Sequence, residues 1–251
     1  MTELSAFFTK YPKIALAFSG GTDSAYLLYA AKKSGAEVHA YYVKSAFQPH
    51  FELEDAMRFA HHLDADITMI EVDVLSNNVI TANPRDRCYH CKKLIFSAIA
   101  EQASADGYKI LIDGTNADDC AYERPGMRAL TELSVLSPLS QCGLKKEKIR
   151  NLSKDAGLFT WNKPAYACLA TRIPAGEVIT KEKLEYIEHA EDYLFSLGFS
   201  DFRVRVTQKN AKIQILSRQF DMLINKRKNI IRELKKYYSS VTLDMEARDE
   251  Q

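Results

Sequence analysis

Several short segments of this chain carry the side chains that handle phosphate, magnesium and sulfur. Ser19-Gly20-Gly21-Thr22-Asp23-Ser24 joins two glycines, which let backbone N–H groups approach a phosphate, to hydroxyls at Ser19 and Ser24 and a carboxylate at Asp23. It lacks the lysine of the common mononucleotide motif and the glycine spacing of the dinucleotide motif. An aspartate among phosphate ligands makes sense as a holder of Mg²⁺; the plainer alternative is a Gly-Ser turn opening a helix. Asp113-Gly114-Thr115-Asn116-Ala117-Asp118-Asp119 offers a close approach at Gly114, a hydroxyl at Thr115, and carboxylates for Mg²⁺ or for orienting donors. Asp and Asn also cap helices, so both readings stay open there.

The cysteines point to thiol chemistry. Cys88 and Cys91 form a CxxC within Arg87-Cys88-Tyr89-His90-Cys91-Lys92-Lys93, where basic neighbours favour the thiolate, a metal ligand and sulfur nucleophile. The chain holds no second CxxC, which argues against a four-cysteine zinc site. Cys168 lies in a stretch rich in Pro, Ala and Gly, residues 161–176, just ahead of Arg172. Cys120 and Cys142 match no motif and read as packing thiols. Arg203 and Arg205, two apart, share one face of an expected strand and could bind a phosphate, with an exposed charged face as the plainer reading.

These groups need a scaffold that presents loops at strand ends. Residues 13–18 are an apolar run ending at the glycines, and helix-forming residues resume over 23–33. Strands follow at 38–43, 66–72 and 108–112, alternating with helices at 52–63 and 92–103, the pattern of a doubly wound parallel α/β sheet. Beyond it a charged helix at 145–156, a helix at 181–197, paired strands at 202–206 and 212–216 and a helix at 220–237 suggest a smaller α+β unit. The expected division is 1–160 and 161–251.

The 251 residues are 46% hydrophobic, enough for a packed core, and 34 basic against 33 acidic residues leave a formal charge of +1. That balance argues against a dedicated nucleic-acid binder. With no leader-like or membrane-spanning apolar run, the expectation is a cytoplasmic protein without a disulfide framework.

In its motifs the chain resembles the LarE family of ATP-dependent sulfur transferases, within the PP-loop ATP pyrophosphatases. SGGTDS matches the family's SGGxDS loop, DGTNADD its DGTNxDD, Arg124-Pro125-Gly126 its RPG, and residues 163–172 its KPxxxCLxxR. The segments occur in the family's order across about residues 13–244. The resemblance implies a PP-loop domain followed by a sulfur-transferase domain. It implies ATP and Mg²⁺ at Ser19, Gly20, Gly21, Asp23, Ser24, Gly114 and Thr115, and a pyridinium dicarboxylate mononucleotide adenylated with release of pyrophosphate. Lys92 or its neighbour Lys93 is expected to neutralise the departing pyrophosphate, and Arg172, Arg203 and Arg205 to hold the substrate. Sulfur in such enzymes comes either from the cysteine at position 168, which becomes dehydroalanine, or from a 4Fe-4S cluster on three cysteines. With Cys88 and Cys91 present beside Cys168, this chain resembles the cluster-bearing version, with a sulfur-donor system as partner and a homo-oligomeric assembly. After Val241-Thr242-Leu243-Asp244 the family's glycine- and arginine-containing tail gives way to Met245-Glu246-Ala247-Arg248, which places one substrate contact in question. The competing readings are a tRNA thiolase with Lys226-Arg227-Lys228 as its basic patch, an amide-forming ligase, and a zinc-bearing nucleotide-binding module without activity.

Overall fold

The computed structural model describes residues 3–119 and 125–248, so Cys120 and Arg124 lie outside the described residues. In chain order the main elements are α1 (Glu3–Lys10), β1 (Lys13–Ala17), α2 (Thr22–Lys33), β2 (Glu37–Lys44), α3 (His50–His62), β3 (Ile67–Glu71), α4 (Asn78–Thr81), α5 (Arg87–Ala105), β4 (Leu111–Ile112), α6 (Pro125–Glu132), α7 (Pro138–Gln141) and α8 (Lys146–Asp155). They continue with α9 (Lys181–Ser196), β5 (Arg203–Thr207), β6 (Asn210–Gln214), α10 (Phe220–Leu234) and β7 (Ser240–Leu243).

The chain forms two compact units, Met1–Val74 with Asp86–Lys163, and Leu75–Arg85 with Pro164–Gln251. In the first, parallel strands run in the order β3-β2-β1-β4. Ile14 and Leu16 of β1 face a core with Leu27, Leu28, Phe59 and Ile149, while Ala15 faces Tyr41, Phe96, Ile99 and Leu130 on the other side. A strand covered on both faces reads as an unbroken apolar run, which is how residues 13–18 read. Strand order reverses between β1 and β4, so the loops leaving these neighbours open at the carboxyl end of the sheet, where α/β proteins bind ligands. The strand expected over 108–112 is shorter as a ladder, Leu111–Ile112. The backbone pairing continues through Leu136, whose carbonyl accepts from Asp113 N–H at 2.9 Å.

In the second unit the sheet order is β5-β6-β7, with β5 antiparallel and β7 parallel to β6. The residues of β7, Ser240-Val241-Thr242-Leu243, alternate polar and apolar over only four positions, too short a run to mark a strand by itself. Leu75–Arg85 is an excursion that no local pattern signals. Asn83, buried at φ 56°, donates to the Pro174 carbonyl at 2.7 Å and accepts from Gly176 N–H at 2.8 Å, while Thr81 accepts from Ile179 N–H at 2.8 Å. Among the described residues no helix is long and apolar enough to cross a membrane.

Candidate active site

The loop after β1 is shaped by its glycines. Gly20 takes φ 71°, and a Cβ there would lie 2.9 Å from the Ala56 Cβ, so only glycine fits between the loop and α3. The Ser19 and Ser24 hydroxyls lie 3.1 Å apart and brace the turn, with Ser24 donating to the Gly21 carbonyl at 3.2 Å. Gly21 is the N-cap of α2 and offers no capping side chain, which leaves first-turn N–H groups facing the loop as an anion site. Thr22 ties this turn down by donating to the Thr160 carbonyl at 2.8 Å.

The segment after β4 abuts the same turn. A Cβ on Gly114 would come 2.9 Å from Ser24 N and 3.1 Å from its Cα. The carboxylates of this segment are occupied by the protein itself. Asp113, buried, accepts from the Thr115 hydroxyl at 2.5 Å, Thr115 N–H at 3.2 Å and the Ser137 hydroxyl at 2.6 Å. Asp119 accepts from Asn116 N–H at 3.2 Å, and Asp118 accepts from the backbone N–H of Lys146 at 2.8 Å, capping α8 from across the loop. The segment thus holds a turn and a helix end more than it offers ligands. Asp113→Ala is expected to destabilise the chain, by about 1–3 kcal/mol for each buried donor left unpaired, read as a fall in the urea midpoint.

What this scaffold presents is Asp23. Its Oδ2 receives Lys146 Nζ at 2.6 Å and Asn116 Nδ2 at 3.4 Å, while its Oδ1 is buried without a hydrogen-bond partner among the described residues. On the loop's other flank Lys163, largely buried, pairs with Asp55 at 2.9 Å and points its ammonium toward the Gly20 carbonyl at 3.5 Å. Arg150 of α8 holds the chain ahead of it, donating to the Trp161 carbonyl at 2.8 Å and the Lys163 carbonyl at 2.9 Å. Neither Lys146 nor Lys163 was assigned a role from sequence. Lys146 had the look of a solvated charge on an amphipathic helix, and Lys163 was legible only as part of the KPxxxCLxxR segment.

The expected lysines sit differently. Lys93 donates to Glu132 at 3.1 Å and to the Tyr89 hydroxyl at 3.2 Å. Tyr89 and then Lys93 hold the Glu132 carboxyl below its ordinary range. The Lys92 stem lies against α6, where a Cβ on Gly126 would meet its Cδ at 2.8 Å. That contact gives the glycine after Pro125 its physical reason. Cys88 and Cys91 lie near the start of α5 at i and i+3, on one side of the helix, with Cys88 exposed and Cys91 half-buried. Two thiols so placed suit a shared metal centre. Among the described residues no three His, Cys, Asp or Glu side chains are gathered for a metal ion.

In the second unit Cys168 precedes a short 3₁₀ turn, Leu169–Arg172, and its carbonyl accepts from the Thr171 N–H at 3.0 Å and hydroxyl at 2.8 Å. Arg172, expected to face substrate, is buried. Its Nε and Nη2 bind the two oxygens of Glu191 at 2.8 and 3.0 Å, and its Nη1 donates to the Ala167 carbonyl at 2.8 Å. Glu191 also receives Val204 N–H at 2.9 Å and the Tyr166 hydroxyl. The Arg172 and Arg203 guanidinium groups lie 4.5 and 5.0 Å from the Tyr166 ring centroid. Arg203 is buried and donates to the Ala165 carbonyl at 2.7 Å; burial, then the Arg172 charge, push it down to about 10. Arg205 is exposed, donating to Gln214 at 2.6 Å and to the Thr171 carbonyl at 3.3 Å. The two arginines of the strand therefore differ, one braced inside and one open to solvent. At the atypical tail, Arg248 pairs with Asp201 at 3.0 Å.

A family model for queuosine biosynthesis protein QueC matches residues 13–89. An uncharacterized protein of Synechocystis is 35% identical over 228 residues, covering 89% of this chain and 84% of its own. The pyridinium-3,5-bisthiocarboxylic acid mononucleotide synthase of Lactiplantibacillus plantarum is 30% identical over 236 residues, 93% of this chain and 86% of that protein. Similarity to the tRNA-specific 2-thiouridylase MnmA of Thermotoga maritima, 26% identical, spans 58% of this chain and 52% of the enzyme.

Proposed function

The chain belongs to the LarE family of PP-loop, ATP-dependent sulfur transferases, and from that premise we propose that it activates a carboxylate of a pyridinium-3,5-dicarboxylate mononucleotide and exchanges a carboxylate oxygen for sulfur. The observation that carries the proposal is Asp23. A carboxylate with one buried oxygen lacking a donor, at the mouth of a helix whose first-turn N–H groups face the loop, suits the magnesium that arrives with ATP as part of the substrate. The residues present fit that metal.

In the first half-reaction a substrate carboxylate oxygen bonds to the α-phosphorus while the bond from that phosphorus to the bridging oxygen breaks. Pyrophosphate departs with the electron pair. The chain's part is to hold the phosphates in line and balance their charge, through the loop N–H groups, the Ser19 and Ser24 hydroxyls, and Asp23 on the magnesium. Gly114, packed against Ser24, and its neighbour Thr115 extend the cradle.

In the second half-reaction sulfur attacks the acyl carbon and AMP leaves. If the sulfur is that of Cys168, attack gives a thioester; loss of the Cys168 α-proton with cleavage of its Cβ–S bond then leaves a thiocarboxylate on the substrate and dehydroalanine at the position. A 4Fe-4S cluster, if held by Cys88, Cys91 and Cys168, would supply a replaceable sulfide in place of the cysteine's own sulfur. We favour the cluster because the CxxC pair stands on one side of α5.

Two measurements test this reading. Pyrophosphate release must require both ATP and the pyridinium dicarboxylate nucleotide; release that ignores the carboxylate removes adenylation from the scheme. Anaerobically purified protein should carry iron and acid-labile sulfide near one cluster per chain, lost in Cys88→Ala, Cys91→Ala and Cys168→Ala. Iron-free protein after reconstitution, together with dehydroalanine at position 168 after turnover, would establish the sacrificial route instead.

A further inference from the structure

We propose that Lys146 is a phosphate-binding residue that serves as counter-ion to Asp23 when nucleotide is absent, and exchanges this partner for the phosphates when magnesium and nucleotide arrive. The proposal rests on the adenylating reading above and names the cation that reading requires.

The geometry is specific. Lys146 Nζ stands 2.6 Å from Asp23 Oδ2, while Oδ1 of the same carboxylate is buried without a partner among the described residues. Lys146 is the first residue of α8, and Asp118 fixes its backbone N–H at 2.8 Å, so the base of the side chain is anchored beside the loop. Its stem is flexible and its ammonium can turn any of three donors outward. The side chain is 33% exposed, which leaves it room to move.

A divalent cation bound at Asp23 repels an ammonium on the same carboxylate. The nearest alternative anion is then the phosphate chain over the Ser19–Ser24 loop. Metal alone must displace Lys146 without giving it a new partner, whereas metal with nucleotide supplies one. The lysine thereby couples the two ligands, and such coupling is reciprocal.

The test compares wild type with Lys146→Met, using Lys148→Met, an exposed charge on the same helix, as the control. Calorimetric titration with Mn²⁺ alone is expected to show binding at least tenfold tighter in Lys146→Met, because a competing charge is gone. Titration with magnesium and a non-hydrolysable ATP analogue is expected to show binding at least tenfold weaker, with Lys148→Met like wild type in both. Shifts of the same sign, or unchanged nucleotide affinity, would overturn the exchange and leave Lys146 a structural partner of Asp23. Wild type that binds no magnesium nucleotide would sink the adenylating reading, and this proposal with it.

Discussion

Asp23→Ala is expected to slow carboxylate-dependent AMP formation by about a hundred- to a thousandfold, the loss typical of removing one preorganised group that balances charge in the transition state. The fold should survive the change. The Asp23–Lys146 pair is 20% and 33% exposed, so it contributes no more than about 1 kcal/mol, and the freed ammonium can reach water. Activity and stability therefore separate at this residue, in contrast to Asp113, whose buried oxygens satisfy three donors and whose loss falls on the fold. Asp23→Asn sharpens the argument. It keeps the size and an acceptor but not the charge, and should behave as Asp23→Ala in a pyrophosphate-release assay while retaining the urea midpoint. An asparagine variant with near-normal rate would mean that position 23 acts by hydrogen bonding, and metal attachment there would be excluded.

This contrast also shows what was legible in the sequence. The turn after β1 could be read because its signals are local: an apolar run, two glycines, hydroxyls and a helix start within a dozen residues. The roles of Asp113 and Asp118 in the Asp113–Asp119 segment could not, because donors elsewhere in the chain help decide them. Ser137 reaches Asp113, and the backbone of Lys146 reaches Asp118. Lys146 itself lies 123 residues from Asp23, on a helix whose charged face looks like any solvated surface. Arg172 shows the reverse difficulty. An arginine beside a cysteine motif invites assignment to substrate, yet its side-chain donors go to Glu191 and to groups of its own loop.

The signal that could have found Glu191 was present in α9. Leu184, Ile187, Ala190 and Leu194 form its buried stripe, and Glu191 falls on that stripe at the spacing of an apolar residue. An acid at a core position must have a buried partner, since an unpaired charge there is too costly to keep. Arg172 is that partner, with side chains 1% and 2% exposed. The chain holds the Cys168 turn through this pair, because the same guanidinium that binds Glu191 donates to the Ala167 carbonyl.

Glu191→Gln is accordingly expected to destabilise the protein by about 3–5 kcal/mol, the cost of leaving a buried charge without its counter-ion. Urea unfolding of the full chain would show the shift, and alkylation of Cys168 should quicken as its turn loosens. A second variant separates stability from positioning. Replacing both partners, Arg172→Met with Glu191→Leu, removes the stranded charge and is expected to recover most of the lost stability, since apolar residues of similar volume often substitute for a buried ion pair without loss. It cannot restore the donors to the Ala167 carbonyl or the acceptor for Val204 N–H. A double variant that is stable but still fast-alkylating and slow in sulfur transfer identifies the pair as the device that positions Cys168. If instead the double variant transfers sulfur normally at saturating substrate and only KM rises, Arg172 acts on the substrate after all, and the buried pair is packing alone.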